Sequence, residues 1–222
     1  MKDSMFLYEF DLFRYSKDLT ALSFLLLIGS SLTVHWVSLS MSSSRDLLHY
    51  LVLPLILVVI LHEGLHALTA KLSGAKTSLG VLTKYGIILA VYVGINTPLP
   101  VKKIRYITIA PIIISIVAFF FSWVTYSPFW AILYIFNTTG IVGDLIVFLV
   151  LSKMPSDAIV VDEGTIMKSN AEFPEPYPSW FSKLIIGLAV LVFLYILTNI
   201  RIEFEVVGTL PNQTMPVNSH FE

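Results

Sequence analysis

Residues 51–72 read LVLPLILVVILHEGLHALTAKL. Leu51 to Leu61 are apolar throughout, and the run then meets three ionisable residues, His62, Glu63 and His66. In a helix, positions i and i+4 share a face, so both imidazoles of an H-E-x-x-H motif can reach one metal ion, with Glu63 beside them to act on a water. Two histidines and a carboxylate at membrane depth mark a functional site by default. The competing reading is a core helix with two histidines satisfied by neighbours.

Outward from this stretch the chain stays apolar. Hydrophobic residues make up 56% of the 222 positions and charged residues 13%, about half the charged share of an ordinary globular domain. The composition is that of an all-α polytopic membrane protein, organised as a single integral-membrane domain. Five spans are expected, at about 19–37, 47–72, 104–126, 129–151 and 181–200, each near the roughly 20 residues a bilayer helix needs. Thr77 to Asn96 is different. Two short apolar runs flank a Lys84-Tyr85-Gly86 turn, which reads as a membrane-associated β-hairpin between helices 2 and 3. Residues 152–180 read as a cytoplasmic loop, extended where Pro174, Pro176 and Pro178 fall.

With five spans and a cytoplasmic N-terminus, all but two of the 14 Lys and Arg residues lie inside. Only Arg45 and Arg201 lie outside, a strong positive-inside bias. A sixth span through the hairpin would move Lys102, Lys103 and Arg105 outside. The bias therefore sets the C-terminus outside and the motif towards the cytoplasmic face. Mixed charges before the first span, Asp3, Glu9 and Asp11 among Lys2 and Arg14, predict a retained anchor rather than a cleaved signal. Trp36, Trp123, Trp130 and Trp180 fall near span ends, as an aromatic belt would.

Composition also excludes function classes. A formal net charge of −1 gives no footprint for nucleic acid. Absence of cysteine removes thiolate ligands, so a zinc site must be built from His, Asp and Glu. Catalytic zinc takes three protein ligands and leaves one position open. His62 and His66 supply two. Asp144, the only acidic residue between Gly74 and Met154, matches them in depth and is the favoured third. Its alternative role is a carboxylate hydrogen-bonded within the helix bundle. Asp157, Asp162 and Glu163 are reserve ligands if the following loop folds back, and are otherwise solvated. Asn137 lies two turns before Asp144. It reads either as a catalytic amide that positions substrate or stabilises an oxyanion, or as an interhelical hydrogen bond among small residues. His35 and His49 read as interfacial, and His220 and the Asn212 glycosylation sequon belong to the outer tail.

These residues resemble the site-2 protease class of intramembrane zinc metalloproteases and, more closely, a small family of membrane zincin peptidases. The likeness covers about Leu47 to Glu163. Site-2 proteases carry Asn-x-x-Pro and then Leu-Asp-Gly; here Gly140 replaces the proline and Gly143-Asp144-Leu145 replaces the second motif, one residue closer. A PDZ-like insertion is missing, and the hairpin at 77–96 resembles the β-segment such proteases place near substrate. The resemblance implies a Zn2+-dependent endopeptidase acting on membrane proteins or peptides at the lipid bilayer, with Glu63 as base. Two other classes compete, a metal transporter and an inactive protease-like scaffold. A transport path needs polar groups through both membrane halves, whereas this chain gathers them in one.

Overall fold

The computed structural model describes residues 6–39, 41–84, 87–164 and 166–199. Tyr85, Gly86, Arg201, Asn212 and His220 lie outside these ranges. Strand β1 (Tyr8–Asp11) and a 3-10 turn (Leu12–Tyr15) lead into α1 (Ser16–Thr33). A short helix α2 (Ser44–Leu47), capped by a reciprocal Ser43–Asp46 box, continues through a π-helical stretch (Leu48–Val52) into α3 (Leu53–Leu72). The hairpin β2 (Thr77–Lys84) and β3 (Ile87–Pro100) follows. Then come α4 (Val101–Ile109), α5 (Ile112–Thr125), α6 (Pro128–Gly140) and α7 (Val142–Lys153). Strands β4 (Ile159–Asp162) and β5 (Ile166–Ser169) precede α8 (Ser179–Asn199).

The all-α expectation is overturned. The hairpin forms, but as one edge of a five-stranded antiparallel sheet ordered β1-β5-β4-β3-β2. The other three strands come from the N-terminal segment and from the 152–180 region read as a loop. Each is four residues long, and only Tyr8-Glu9-Phe10-Asp11 alternates apolar with polar, the shortest run that carries a period-2 signal. β4 and β5 pair with each other locally, but β1 reaches β5 and β4 reaches β3 across long stretches of chain, as in the pairing of Tyr8 with Ser169.

The five-span count is overturned as well. Among the described residues, three helices are long and apolar enough to cross a membrane: Ser44–Leu72, Val101–Thr125 and Ser179–Asn199. A fourth crossing exists only if α6 and α7, bent by 43° at their junction, count as one span. The expected first span instead begins with Lys17 and Asp18 in the first turn of α1, and Asp18 is buried against α8, where it accepts a hydrogen bond from Ser182 Oγ at 2.6 Å. The inside–outside assignment built on five spans falls with that count. These candidates are compatible with an apolar surrounding. Only 6% of the apolar window of Ser44–Leu72 is buried within the protein, more exposed grease than water tolerates.

The main core forms where the sheet meets the helices. Ile95 and Val160 from the sheet pack against Ile104 and Ile107 of α4 and Ile146 and Val150 of α7. Arg105 locks this layer. Its Nε donates to the Leu151 carbonyl at 2.9 Å and its Nη2 to the Met154 carbonyl at 2.7 Å, satisfying the C-terminal end of α7 that has no helical donors. The register of α4 against α7 is thereby set, and both helices contribute to the cavity described next.

Candidate metal centre

Helix α3 runs unbroken through the motif, so His62 and His66 lie one turn apart with ring centroids 5.0 Å from each other. Asp144 arrives from the other side. The chain breaks at Ile141, and Asp144 falls in the first turn of α7, where the positive end of the helix favours an anion. His62 Nε2 is 3.1 Å from Asp144 Oδ2, and His66 Nε2 is 3.3 Å from Asp144 Oδ1. One ligand atom from each of the three residues lies within 4.8 Å of the others.

The protons on the two rings are placed by their outer nitrogens. His66 Nδ1 is 2.9 Å from the Ile107 carbonyl, which can only accept. His62 Nδ1 is 3.1 Å from Asn137 Oδ1. Asn137 Nδ2 donates to the Pro111 carbonyl at 3.0 Å and to Ser115 Oγ at 2.8 Å, so the amide oxygen is the end turned to His62. Both rings therefore carry hydrogen on Nδ1, so in the neutral imidazole Nε2 is the nitrogen left to bind a metal. Asp144 Oδ2 is buried, and its one close polar neighbour is His62 Nε2. Two imidazole Nε2 atoms and a carboxylate converge here, a donor set that suits a divalent cation once Nε2 is free of hydrogen. Two imidazoles and one carboxylate form a zinc donor set that leaves one position open.

Asn137 is fully buried, and its amide is spent on His62, Pro111 and Ser115. Its place is behind the histidine, not on the cavity surface. Ser115 and the Ile107 carbonyl were absent from the sequence reading. Ser115 is the lone hydroxyl between Pro111 and Phe121, a signal open to that reading. A main-chain carbonyl has no residue-type signature.

A cavity of about 290 Å³ opens in front of the cluster. Glu63 lines it from α3, Val91 to Val93 from β3, and Asp162 and Gly164 from the end of β4. The ring of Tyr92 lies across Gly164, where a Cβ would come within 2.2 Å of it. Glu63, Val91 and Val93 also line a second cavity of about 540 Å³ between α3 and the hairpin, so the carboxylate stands on the wall between the two. Of the reserve ligands, Asp162 reaches the site region. It is the last residue of β4, accepts from the Gly164 amide at 2.9 Å, and is no member of the three-residue cluster. Burial, reinforced by the Asp144 and Glu63 carboxylates, pushes its pKa up to about 7 against the opposing pull of Gly164 and His66. Asp157 is exposed, and Glu163 pairs with Lys168 at 3.0 Å. His35 and His49 meet Trp36 and Tyr50 edge to face and are not members of the cluster.

Residues 55–159 match the family model described as "Putative zincin peptidase". That stretch contains His62, Glu63, His66 and Asp144. A protein of Pyrococcus woesei, named "Uncharacterized 24.7 kDa protein in gap 5'region", is 98% identical over 222 residues, which span the whole of both chains. No solved structure matches the chain.

Proposed function

Residues 55–159 place this chain with the zincin peptidase family, and on that premise we propose that it is a zinc-dependent endopeptidase that hydrolyses peptide bonds of membrane proteins within or beside the bilayer. The observation that carries the reading is the convergence of His62 Nε2, His66 Nε2 and the Asp144 carboxylate, with Glu63 on the wall of the same cavity. His62, His66 and Asp144 would hold the ion. Bound zinc supplies Lewis acidity and brings the pKa of water towards about 7.

The remaining chemistry belongs to the chain. Glu63 takes a proton from the attacking water and returns it to the leaving amine, so one carboxylate serves as base and then acid. Asn137 and the Ile107 carbonyl hold the two imidazoles in the Nδ1-protonated form. Asn137 acts as a positioning residue. Strand β3 offers the place for substrate. It pairs with β2 along the hairpin, whereas β4 joins its other edge only from Ile95 onward. Among the described residues, the β3 edge before Ile95 has no strand partner, and the Val93 amide is turned to the Glu63 carboxylate. A helical substrate hides its peptide bonds, and adding it as a strand to this edge would hold it extended beside Glu63.

The test uses the whole protein purified in detergent. About one zinc per chain is expected, largely lost in His62→Ala. Glu63→Gln should retain the metal while cleavage of a co-expressed membrane substrate falls by roughly 10²–10⁴. A metal-free wild type ends the reading, as does undiminished cleavage by Glu63→Gln.

A further inference from the structure

Both histidines of the centre are aimed by groups that meet at one residue, Pro111. Proline has no N–H, so the helical bond from position 111 back to the carbonyl of residue 107 cannot form. The Ile107 carbonyl keeps only a 3.3 Å contact with the Ala110 amide and is free to accept from His66 Nδ1 at 2.9 Å. The break also turns the carbonyl of Pro111 itself to account. Besides the Ile114 amide at 3.0 Å, it accepts Asn137 Nδ2 at 3.0 Å. That bond decides which end of the Asn137 amide faces His62. A reversed amide would oppose oxygen to oxygen at Pro111 and nitrogen to a protonated Nδ1 at His62.

We infer that Pro111 is a positioning residue that sets both imidazoles in the Nδ1-protonated tautomer, through the freed Ile107 carbonyl for His66 and through its own carbonyl and Asn137 for His62. The inference rests on the reading of these histidines as metal ligands. Its physical content is pre-organisation. An imidazole free to tautomerise spends part of its time with Nε2 protonated and unable to ligate, whereas a fixed outer hydrogen bond keeps the lone pair presented and the ring oriented. A proline within a long apolar helix ordinarily leaves a carbonyl that neighbouring groups must satisfy. Here the neighbour is a candidate ligand.

Two variants separate aim from bend. Pro111→Ala restores an amide at 111 that competes for the Ile107 carbonyl. The double variant Ala110→Pro/Pro111→Ala keeps a proline break but frees the Tyr106 carbonyl instead. Zinc affinity, measured by competition with a chromophoric chelator, should fall roughly 10–100-fold in both, the usual effect of removing an outer-shell partner. Wild-type affinity in the double variant would show that Pro111 serves only as a bend and would overturn the inference. If wild-type protein binds no zinc, the proposed function fails, and the tautomers still judge Pro111. In metal-free protein near pH 9, well above the ordinary imidazole pKa of about 6.5, ¹⁵N shifts should report both His62 and His66 as Nδ1-protonated. An Nε2-protonated form at either residue in the wild type overturns the inference even where neither variant folds.

Discussion

Asn137 Oδ1 stands 3.1 Å from His62 Nδ1, and the buried amide that carries it makes no other use of that oxygen. Replacing it with the similarly sized Asn137→Leu strands the imidazole N–H and takes one partner each from the Pro111 carbonyl and Ser115 Oγ, which keep the Ile114 amide and Thr138 Oγ1. Zinc affinity should fall roughly 10–100-fold, and stability by about 1–3 kcal/mol for the buried imidazole N–H left unpaired. A chelator competition and a thermal melt measure the two effects separately. Unchanged affinity would mean that the His62–Asn137 contact has no bearing on the metal.

Asp162 gives the protein a pH dependence of unusual sign. Its pKa of about 7 lies above the ordinary carboxyl value, so between about pH 4 and 7 the folded state holds a proton that the unfolded state has released. The contribution is intact below that window, declines as pH rises through it, and is lost above about 7. Asp162→Asn removes the penalty of burying the anion. In metal-stripped protein it should raise stability at pH 8 by about 4 kcal/mol at most and change little near pH 4. An equal shift at both pH values would contradict this origin.

Arg105 closes the C-terminal end of α7 with hydrogen bonds to two of its last carbonyls. Arg105→Lys keeps the charge but has no planar fork to reach both. Each lost charged hydrogen bond should cost roughly 1.5–3 kcal/mol, visible as an earlier midpoint in denaturant. Equal midpoints for Arg105→Lys and wild type would show that charge alone matters at this position.

Gly64 lies inside the motif and lines the cavity between α3 and the hairpin, and a Cβ built there meets nothing within 4 Å. Gly64→Ala should be accommodated and raise helix stability by up to about 1 kcal/mol. Gly64→Leu should fill the cavity, leave zinc content unchanged and slow cleavage of substrates that present bulky side chains beside the cut. Comparing a large and a small residue at that substrate position reads the effect. Equal slowing of both would assign Gly64 to catalysis rather than to fit.

Much of the centre was legible from residue order. His62, Glu63 and His66 are joined by helical periodicity, a local property that survives any packing. Asp144 stood out because a solitary carboxylate in a long apolar stretch needs a partner. Asn137 was visible as a polar residue, but its direction was not. Only the position of Pro111 and Ser115 behind it shows that its oxygen faces the imidazole and its nitrogen faces away from the cavity. Asp162 looked like a solvated loop residue because nothing local announces that β4 adds to β3.

Sequence by itself determined what depends on neighbours along the chain: the apolar character, the H-E-x-x-H face of α3, the hairpin, and the exclusion of thiolate ligands. Tertiary structure decided what depends on remote pairing. It joined β1, β4 and β5 to that hairpin, left three long apolar helices and one bent pair among the described residues where five spans are expected, and brought the freed Ile107 carbonyl to His66. Short strands gain their stability from partners distant in the chain, and a hydrogen bond to a main-chain carbonyl is indifferent to the side chain that bears it. Neither leaves a mark in residue order.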